Sequence, residues 1–108
     1  MGANTVVARG EVRWLNLDKT RPVVLLNRAA VIDRLTSVLV APCTTRVRGL
    51  PTEVVLDERD GMPQRCVISL DNTTLVDRSL LGAAITILRA ERMVSVCAAL
   101  AVAVGCDG

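Results

Sequence analysis

The sequence of 108 residues contains no His, no Tyr and no Phe, and Trp14 is its only aromatic residue. Without His, the chain cannot form a Ser–His–Asp or Cys–His nucleophile system or a mixed His/Cys zinc site. Without Tyr and Phe, it also lacks the aromatic platforms on which RRM and OB domains stack bases. Because 51% of the residues are hydrophobic and Val and Leu dominate them, the core must be built from small branched side chains.

The chain also lacks a strong excess of one charge, since 13 basic and 11 acidic residues give a net charge of +2. Lys19 is the only Lys, so nearly all basic residues are Arg. Arg favours planar, bidentate contact with phosphate or carboxylate, although codon usage in a G+C-rich genome would explain the same enrichment. A charge this close to zero argues against a non-specific nucleic-acid coat, and any contact with RNA or DNA is expected to be local.

Motifs for metal binding, secretion and membrane insertion are absent as well. The four cysteines are widely spaced and form no C-x-x-C motif: Cys43, Cys66, Cys97 and Cys106. The first three lie in apolar segments, which predicts buried free thiols in a reducing cytosol. The longest apolar run, residues 96–104, is nine residues long, whereas a membrane span needs about 20. No signal peptide is evident, so we expect a cytoplasmic protein with a single domain over residues 1–108.

Hydrophobic patterning predicts several short strands and a terminal helix. Strands are expected at residues 11–17, 23–26, 38–41, 53–57, 66–70 and 85–88. Pro42 is expected to place the third strand at a bulge or a sheet edge. Asn27 is positioned to cap a short helix over residues 28–35, and residues 77–81 fit one helical turn closed by Gly82.

The clearest element is a C-terminal helix that ends at Gly105. Its apolar residues recur at intervals of three and four: Met93, Val96, Cys97, Leu100, Ala101 and Val104. Short strands followed by one helix predict a small, strongly curved sheet or barrel.

Seven short motifs occur in order between about residues 9 and 105. They read R-G-E-V at 9–12, L-D at 17–18, R-P-V-V-L at 21–25, V-A-P-C-T-T at 40–45, R-G-L-P-T-E-V at 48–54, S-L-D-N at 69–72 and L-G at 81–82. Each motif alone carries little information. Their order and spacing, followed by the terminal helix, resemble the MazF/PemK/Kid family of toxin endoribonucleases.

This resemblance implies a mainly β (α+β) fold, a small SH3-like, partly open twisted barrel of the CcdB/PemK kind with a C-terminal helix. It also implies a homodimer that cleaves single-stranded RNA at short sequence motifs without a metal or other cofactor. Such toxins inhibit translation and growth, and a cognate MazE-like antitoxin neutralises them. No membrane partner is expected.

Metal-free cleavage can use the ribose 2′-OH as nucleophile, leaving a 2′,3′-cyclic phosphate and a 5′-OH. Arg21 matches the catalytic Arg of the family's R-P motif. We expect it to stabilise charge on the phosphate, because an Arg pKa above about 12 makes it a poor proton donor. The alternative is an ordinary salt bridge, for example to Asp18.

Thr44 matches the family Thr that holds or polarises the scissile phosphate, and Thr45 replaces it if the register slips by one residue. The alternative is a Thr that satisfies a local backbone group. Kid-like members place a catalytic Arg and Asp two residues apart, whereas this chain has Ser69 and Asp71. Asp71 is a candidate base, a residue that orients Arg21, or a base-edge reader.

Several further residues are candidates for RNA binding, with a solvated surface as the alternative: Lys19, Arg46, Arg48 and Asn72. The segment before Arg21 is much shorter than the loop of many relatives, which predicts different substrate access. This departure and Ser69 keep a catalytically weak antitoxin-binding module open as an alternative. A CcdB-like gyrase poison is less favoured, because the terminal Trp-Gly-Ile tail of that class is absent from residues 105–108.

Overall fold

The computed structural model describes residues 6–107. In this range the chain forms seven strands and one α-helix: β1 (Glu11–Asn16), β2 (Thr20–Leu25), β3 (Ser37–Thr44), β4 (Glu53–Leu56), β5 (Cys66–Ser69), β6 (Thr74–Asp77), β7 (Leu81–Ile87) and α1 (Ala90–Ala103). All paired strands are antiparallel, in the order β4-β5-β3-β2-β1-β7, and β6 lies beside β3. This open sheet with a C-terminal helix confirms the mainly β class predicted from the sequence.

Both faces of the central strands are buried, so β2 and β3 carry continuous apolar runs rather than alternating patterns. On one face, Val24 and Ala41 belong to a cluster that includes Met93 and Val96 of α1. The opposite face has a second cluster, drawn from the same strands and their neighbours: Val7, Leu15, Val23, Leu25, Ile32, Val38, Val40, Val76 and Leu81. The aliphatic core that the composition requires is thus divided by the sheet itself.

Pro42 lies within β3, and the prediction of a bulge or a sheet edge at this residue is wrong. β3 continues through Pro42, which is opposite Val23 of β2. On its other side, β3 pairs with β6 up to Val40 and with β5 from Cys43 onward. Pro42 therefore occupies the point where β3 changes partner, and a residue without an N–H is tolerated there.

The helix predicted over residues 28–35 is wrong. Only a 3₁₀ turn forms, at Ile32–Arg34. Asn27 does not cap it, because the side-chain oxygen of Asn27 accepts a hydrogen bond of 2.7 Å from the backbone N–H of Leu39. Asn27 therefore ties the end of β2 to β3 instead of starting a helix.

Residues 77–81 form a 3₁₀ turn at Arg78–Leu80, and β7 follows at once. Gly82 therefore lies inside a strand rather than after a helix, which corrects the prediction. The strand β6 was not predicted, because its four residues follow a buried strand closely and have no apolar run of their own. No helix within residues 6–107 is long and apolar enough to cross a membrane.

The C-terminal helix packs on the sheet through a row formed by Met93, Val96 and Ala99. Cys97 and Val104, predicted on the apolar face, are exposed instead. Leu100 and Ala103 pack against the same core cluster while partly exposed, so the buried face runs through residues 93, 96, 99, 100 and 103 and leaves Cys97 at its solvent edge. The expectation of a buried Cys97 thiol is therefore wrong, whereas Cys43 and Cys66 are buried as predicted.

The connection from β4 to β5 is held to the rest of the molecule by Asp60, whose side chain is 1% exposed. Arg92 of α1 donates to its carboxylate at 3.0 and 3.3 Å, and Thr86 of β7 donates to its carbonyl at 3.0 Å. Burial acts to raise the pKa of Asp60, but hydrogen bonds from Arg92 and from the Asp57 N–H, with the charges of Arg92 and Arg89, lower it below its usual value.

Candidate active site

A polar cavity of about 380 Å³ opens where β2 begins and β3 and β5 end, beside the loop of residues 45–50, here called the basic loop. Its lining contains three guanidinium groups, two hydroxyls and two carboxylates together with amide and apolar groups: Arg21, Pro42, Cys43, Thr44, Arg46, Arg48, Leu50, Glu53, Ser69, Asp71 and Asn72. The sheet thus brings together most of the site residues predicted from the sequence, from three separate segments of the chain.

Arg21 is the exposed second residue of β2, opposite Leu15 of β1. Among the residues that the structure describes, its side chain forms no ion pair and no hydrogen bond. The alternative salt bridge to Asp18 is therefore not formed. Arg13 and Arg92, by contrast, are both engaged in ion pairs. Arg21 leaves all its donors available to a ligand in the cavity.

Thr44 is the last residue of β3, and its side chain is partly buried in the cavity wall. Its hydroxyl oxygen accepts a hydrogen bond of 3.2 Å from the backbone N–H of Arg46. Because the oxygen is the acceptor in this turn, the hydroxyl proton stays available to a ligand. Thr45 is exposed and lines neither this cavity nor its neighbour.

Ser69 is the last residue of β5, and Asp71 and Asn72 lie on the 3₁₀ turn that follows it. The carboxylate oxygen Oδ2 of Asp71 accepts a hydrogen bond of 2.6 Å from the Thr52 hydroxyl, which fixes the carboxylate. Asn72 donates from Nδ2 to the Ser69 hydroxyl oxygen at 2.7 Å. The Oδ1 atom of Asp71 makes no hydrogen bond with the described residues, so one oxygen remains free to accept a proton.

The basic loop is held from one side by Glu53, the first residue of β4. Its Oε1 atom accepts hydrogen bonds from the backbone N–H groups of Arg48, Gly49 and Leu50, at 3.0, 2.8 and 3.2 Å. Neither Arg46 nor Arg48 forms an ion pair among the described residues. Both guanidinium groups therefore line the cavity without a carboxylate partner.

A second cavity of about 400 Å³ adjoins the first and shares Arg21 and Pro42 with it. Its remaining lining is mostly aliphatic with a polar rim: Leu15, Leu17, Asp18, Lys19, Val23, Val40 and Thr74. Lys19 therefore faces this apolar cavity rather than the polar one. Together the two cavities form one groove with Arg21 at its centre.

Cys43 lines the polar cavity but is buried. A hydrogen bond with Cys66 and burial raise the pKa of the Cys43 thiol well above its ordinary value. A thiol in this state is a poor nucleophile at neutral pH. In the described part of the chain, no three Cys, Asp or Glu side chains are grouped so that they could hold a metal ion.

Sequence reasoning missed Glu53, Thr52 and Cys43 as parts of the site. The sequence places Glu53 at the start of a strand and Thr52 only within the R-G-L-P-T-E-V motif, because their roles depend on hydrogen bonds with the basic loop and with Asp71. The one local signal for Glu53 is an acidic residue four positions after Gly49, where a side chain can reach back to a turn.

Comparisons with known proteins agree with this geometry. The family model of the PemK-like, MazF-like toxin of type II toxin–antitoxin systems matches residues 8–104. "Probable endoribonuclease MazF5" of Mycobacterium tuberculosis is 46% identical over 103 residues, which cover 93% of this chain and 94% of that protein.

Two solved structures extend the similarity to three dimensions. M. tuberculosis toxin MazF-mt6 has a TM-score of 0.84 and 41% identity, covering 91% of this chain and 99% of that one. A MazE–MazF crystal structure from Deinococcus radiodurans has a TM-score of 0.78 and 27% identity, covering 94% and 97%. The chain therefore belongs to the PemK-like, MazF-like family of toxins of type II toxin–antitoxin systems.

Proposed function

We propose that this toxin is a sequence-specific endoribonuclease that cleaves single-stranded RNA through the ribose 2′-OH, without a metal ion. The observation that carries the proposal is Arg21, an unpaired guanidinium at the centre of a groove that also holds Thr44 and Asp71. Family membership supports it, since the M. tuberculosis relative is named as a probable endoribonuclease.

In the proposed reaction, the 2′-oxygen forms a bond to phosphorus and the bond from phosphorus to the 5′-oxygen breaks. Asp71 takes the 2′-OH proton on its free Oδ1 atom, and solvent supplies the proton to the departing 5′-oxygen. Arg21 and the Thr44 hydroxyl donate hydrogen bonds to the phosphorane oxygens, where negative charge builds up. The products are a 2′,3′-cyclic phosphate and a 5′-OH.

The groove also supports a role for the flanking nucleotides. Arg46, Arg48 and Asn72 line the polar cavity on one side of Arg21 and are proposed to contact the RNA there. On the other side, the aliphatic cavity bordered by Lys19 and Asp18 has room for a nucleobase. Ser69 is proposed to orient Asn72 through their hydrogen bond. With no aromatic residue in the groove, bases are held by aliphatic packing and hydrogen bonds rather than by ring stacking.

A MazE-like antitoxin is the proposed protein partner, because the D. radiodurans relative was solved as a MazE–MazF complex. We further propose that the whole chain is one domain, acts in the cytoplasm where mRNA is translated, and forms a homodimer. Exposed apolar side chains support the dimer, including Leu75 at 63% and Ile87 at 59% exposure, since such groups are often buried in two-fold interfaces. Sedimentation equilibrium at micromolar concentration should give a dimer mass, and a monomer would contradict this assignment.

The catalytic assignment is tested by incubating the purified protein with a long mixed RNA in EDTA and mapping the 5′-OH ends. Arg21→Ala and Thr44→Ala should each slow cleavage about 10²- to 10³-fold, as expected for removal of one charge-stabilising donor. Thr45→Ala and Arg65→Ala are matched controls, because both residues are exposed and lie outside the groove.

Each other outcome has a defined meaning. Full cutting by both Arg21→Ala and Thr44→Ala would refute the site. Loss of cutting in Thr45→Ala, with Thr44→Ala still active, would show that Thr45 and not Thr44 supplies the hydroxyl of the site. No cutting by the wild type, with antitoxin binding intact, would favour a catalytically weak antitoxin-binding module.

A further inference from the structure

The basic loop is built around a single carboxylate oxygen. Three consecutive backbone N–H groups, those of Arg48, Gly49 and Leu50, converge on Oε1 of Glu53. Gly49 has a φ of +73°, a left-handed conformation that directs its N–H toward the same point as its neighbours. Successive N–H groups arranged in this way form a concavity that binds anions, and here a side chain of the same chain occupies it.

The ends of the basic loop are fixed independently. At its start, the Arg46 N–H donates to the Thr44 hydroxyl oxygen at 3.2 Å. At its end, the Glu53 N–H donates to the Leu50 carbonyl at 3.0 Å. Between these two points, the bonds to Glu53 are the only hydrogen bonds that the loop forms with the described residues. The Glu53 carboxylate therefore sets the path of the segment that carries Arg46 and Arg48.

A negative charge in a groove for RNA is expected to repel the substrate unless something offsets it. The negative charge of Glu53 is balanced by hydrogen bonds from uncharged backbone N–H groups and not by an arginine, since Glu53 forms no ion pair in the described part of the chain. The carboxylate thus orders the loop while leaving both guanidinium groups available for phosphates.

We infer that Glu53 is a positioning residue, which holds the basic loop in the form that binds the nucleotides flanking the scissile phosphate. This inference rests on the proposed endoribonuclease function. Glu53 acts through Arg46 and Arg48 and takes no part in bond making or breaking. Its effect should appear in substrate binding much more than in the turnover of bound RNA.

The first test compares Glu53→Ala, Glu53→Gln and a matched control, Glu58→Ala, which removes an exposed carboxylate beyond the far end of β4. Glu53→Ala should raise KM, and so lower kcat/KM, by up to about 100-fold, because displacing a group that positions the substrate can have an effect of this size. The kcat of the variant should stay within a few-fold of the wild-type value. Glu53→Gln keeps an acceptor oxygen and should recover part of the loss. Unfolding curves show whether each variant is folded.

The second test asks whether Glu53 acts through the basic loop. In a double-mutant cycle with Arg48→Ala, the fold-loss of kcat/KM in the double variant should be smaller than the product of the fold-losses in the two single variants. Formate can enter the vacated concavity, so it should restore activity to Glu53→Ala in a saturable manner, with chloride at equal ionic strength as the control. Fully multiplicative losses, or an unchanged KM in Glu53→Ala, would overturn the inference.

A readout that needs no cleavage separates this inference from the proposed function. Amide hydrogen exchange should show lost protection at residues 48–50 in Glu53→Ala, and anisotropy should show weaker binding of an uncleavable 2′-deoxy oligonucleotide. If the wild type cuts no RNA but these two changes occur, the proposed function fails and the role of Glu53 stands. If protection and affinity are both unchanged, the role of Glu53 fails regardless of cleavage.

Discussion

At the scale of single residues, Asp71 combines two properties that suit a general base. Its Oδ2 atom is fixed by the Thr52 hydroxyl at 2.6 Å, and its Oδ1 atom is free to receive a proton. A carboxylate that is oriented by one oxygen and reactive at the other keeps its geometry throughout the proton transfer.

This arrangement predicts different effects for two substitutions. Asp71→Asn should lower kcat about 10²-fold or more, because the proton acceptor is removed. Thr52→Val should lower kcat much less, because the carboxylate remains and only its orientation is loosened. Single-turnover cleavage by folded variants measures both. If Asp71→Asn keeps the wild-type kcat, Asp71 is not the base.

The family resemblance predicts Arg21 and Thr44 as site residues, and each also has a local signature that is compatible with this role. Arg21 precedes a Pro at the mouth of an apolar strand, and Thr44 follows an apolar strand on its far side. Glu53 and Thr52 have no such signature. Their importance depends on which N–H groups and carboxylates the folded loop brings to them, and residue type alone does not encode that.

At the scale of elements, the ion pair of Asp60 with Arg92 fastens the β4–β5 connection to α1. Gly61, next in the chain, has a φ of +88°, and a Cβ atom there would clash with the Thr86 hydroxyl oxygen. The connection is therefore in close contact with β7 through Gly61 and Thr86, and it is bonded to α1 through Asp60 and Arg92.

Because the pKa of Asp60 is lowered in the folded state, its contribution to stability should be complete above the unfolded-state pKa of about 3.9. This contribution to stability should be lost as the pH falls through the lower pKa that Asp60 has in the folded state. Asp60→Asn should therefore cost about 1.5–3 kcal/mol at pH 7, as for a hydrogen bond to a charged group, and less at pH 3. Urea midpoints measured across this range check the prediction.

The control for this experiment is Asp18→Asn, since Asp18 is exposed and has no partner among the described residues. Its midpoints should follow those of the wild type at every pH. A difference between Asp60→Asn and the wild type that is as large at pH 3 as at pH 7 would contradict the assigned linkage.

Strands were easier to predict than short helices. The apolar runs of β2 and β3 reflect burial on both faces, which leaves a direct trace in the sequence. The helix expected over residues 28–35 failed because Asn27, a good cap by type, is engaged by the Leu39 N–H. A hydrogen bond between residues twelve apart in the sequence thus outweighed the local preference of Asn27 for capping a helix. The residues around Asn27 do not reveal this hydrogen bond.

At the scale of the whole molecule, the net charge of +2 is small, yet four cationic side chains line one groove: Lys19, Arg21, Arg46 and Arg48. Phosphate contacts with single-stranded nucleic acid give a salt slope of about −0.7 each. The affinity of one groove for RNA should therefore depend on salt only moderately.

Plots of log kcat/KM against log salt concentration should have a slope no steeper than about −3 for one site. Arg48→Ala should make the slope shallower by about 0.7, whereas Arg65→Ala, outside the groove, should leave it unchanged. A slope twice as steep, or one insensitive to Arg48, would show that the RNA follows a different surface.

The order of the elements along the chain also has a consequence for synthesis on the ribosome. α1 packs against the turn that carries Asp71 and Asn72, and β7 closes the sheet onto β1 near the amino terminus. Every proposed catalytic residue is translated before this support exists. The packed site should therefore form only once the residues up to 103 are available, so an incomplete chain is expected to lack it.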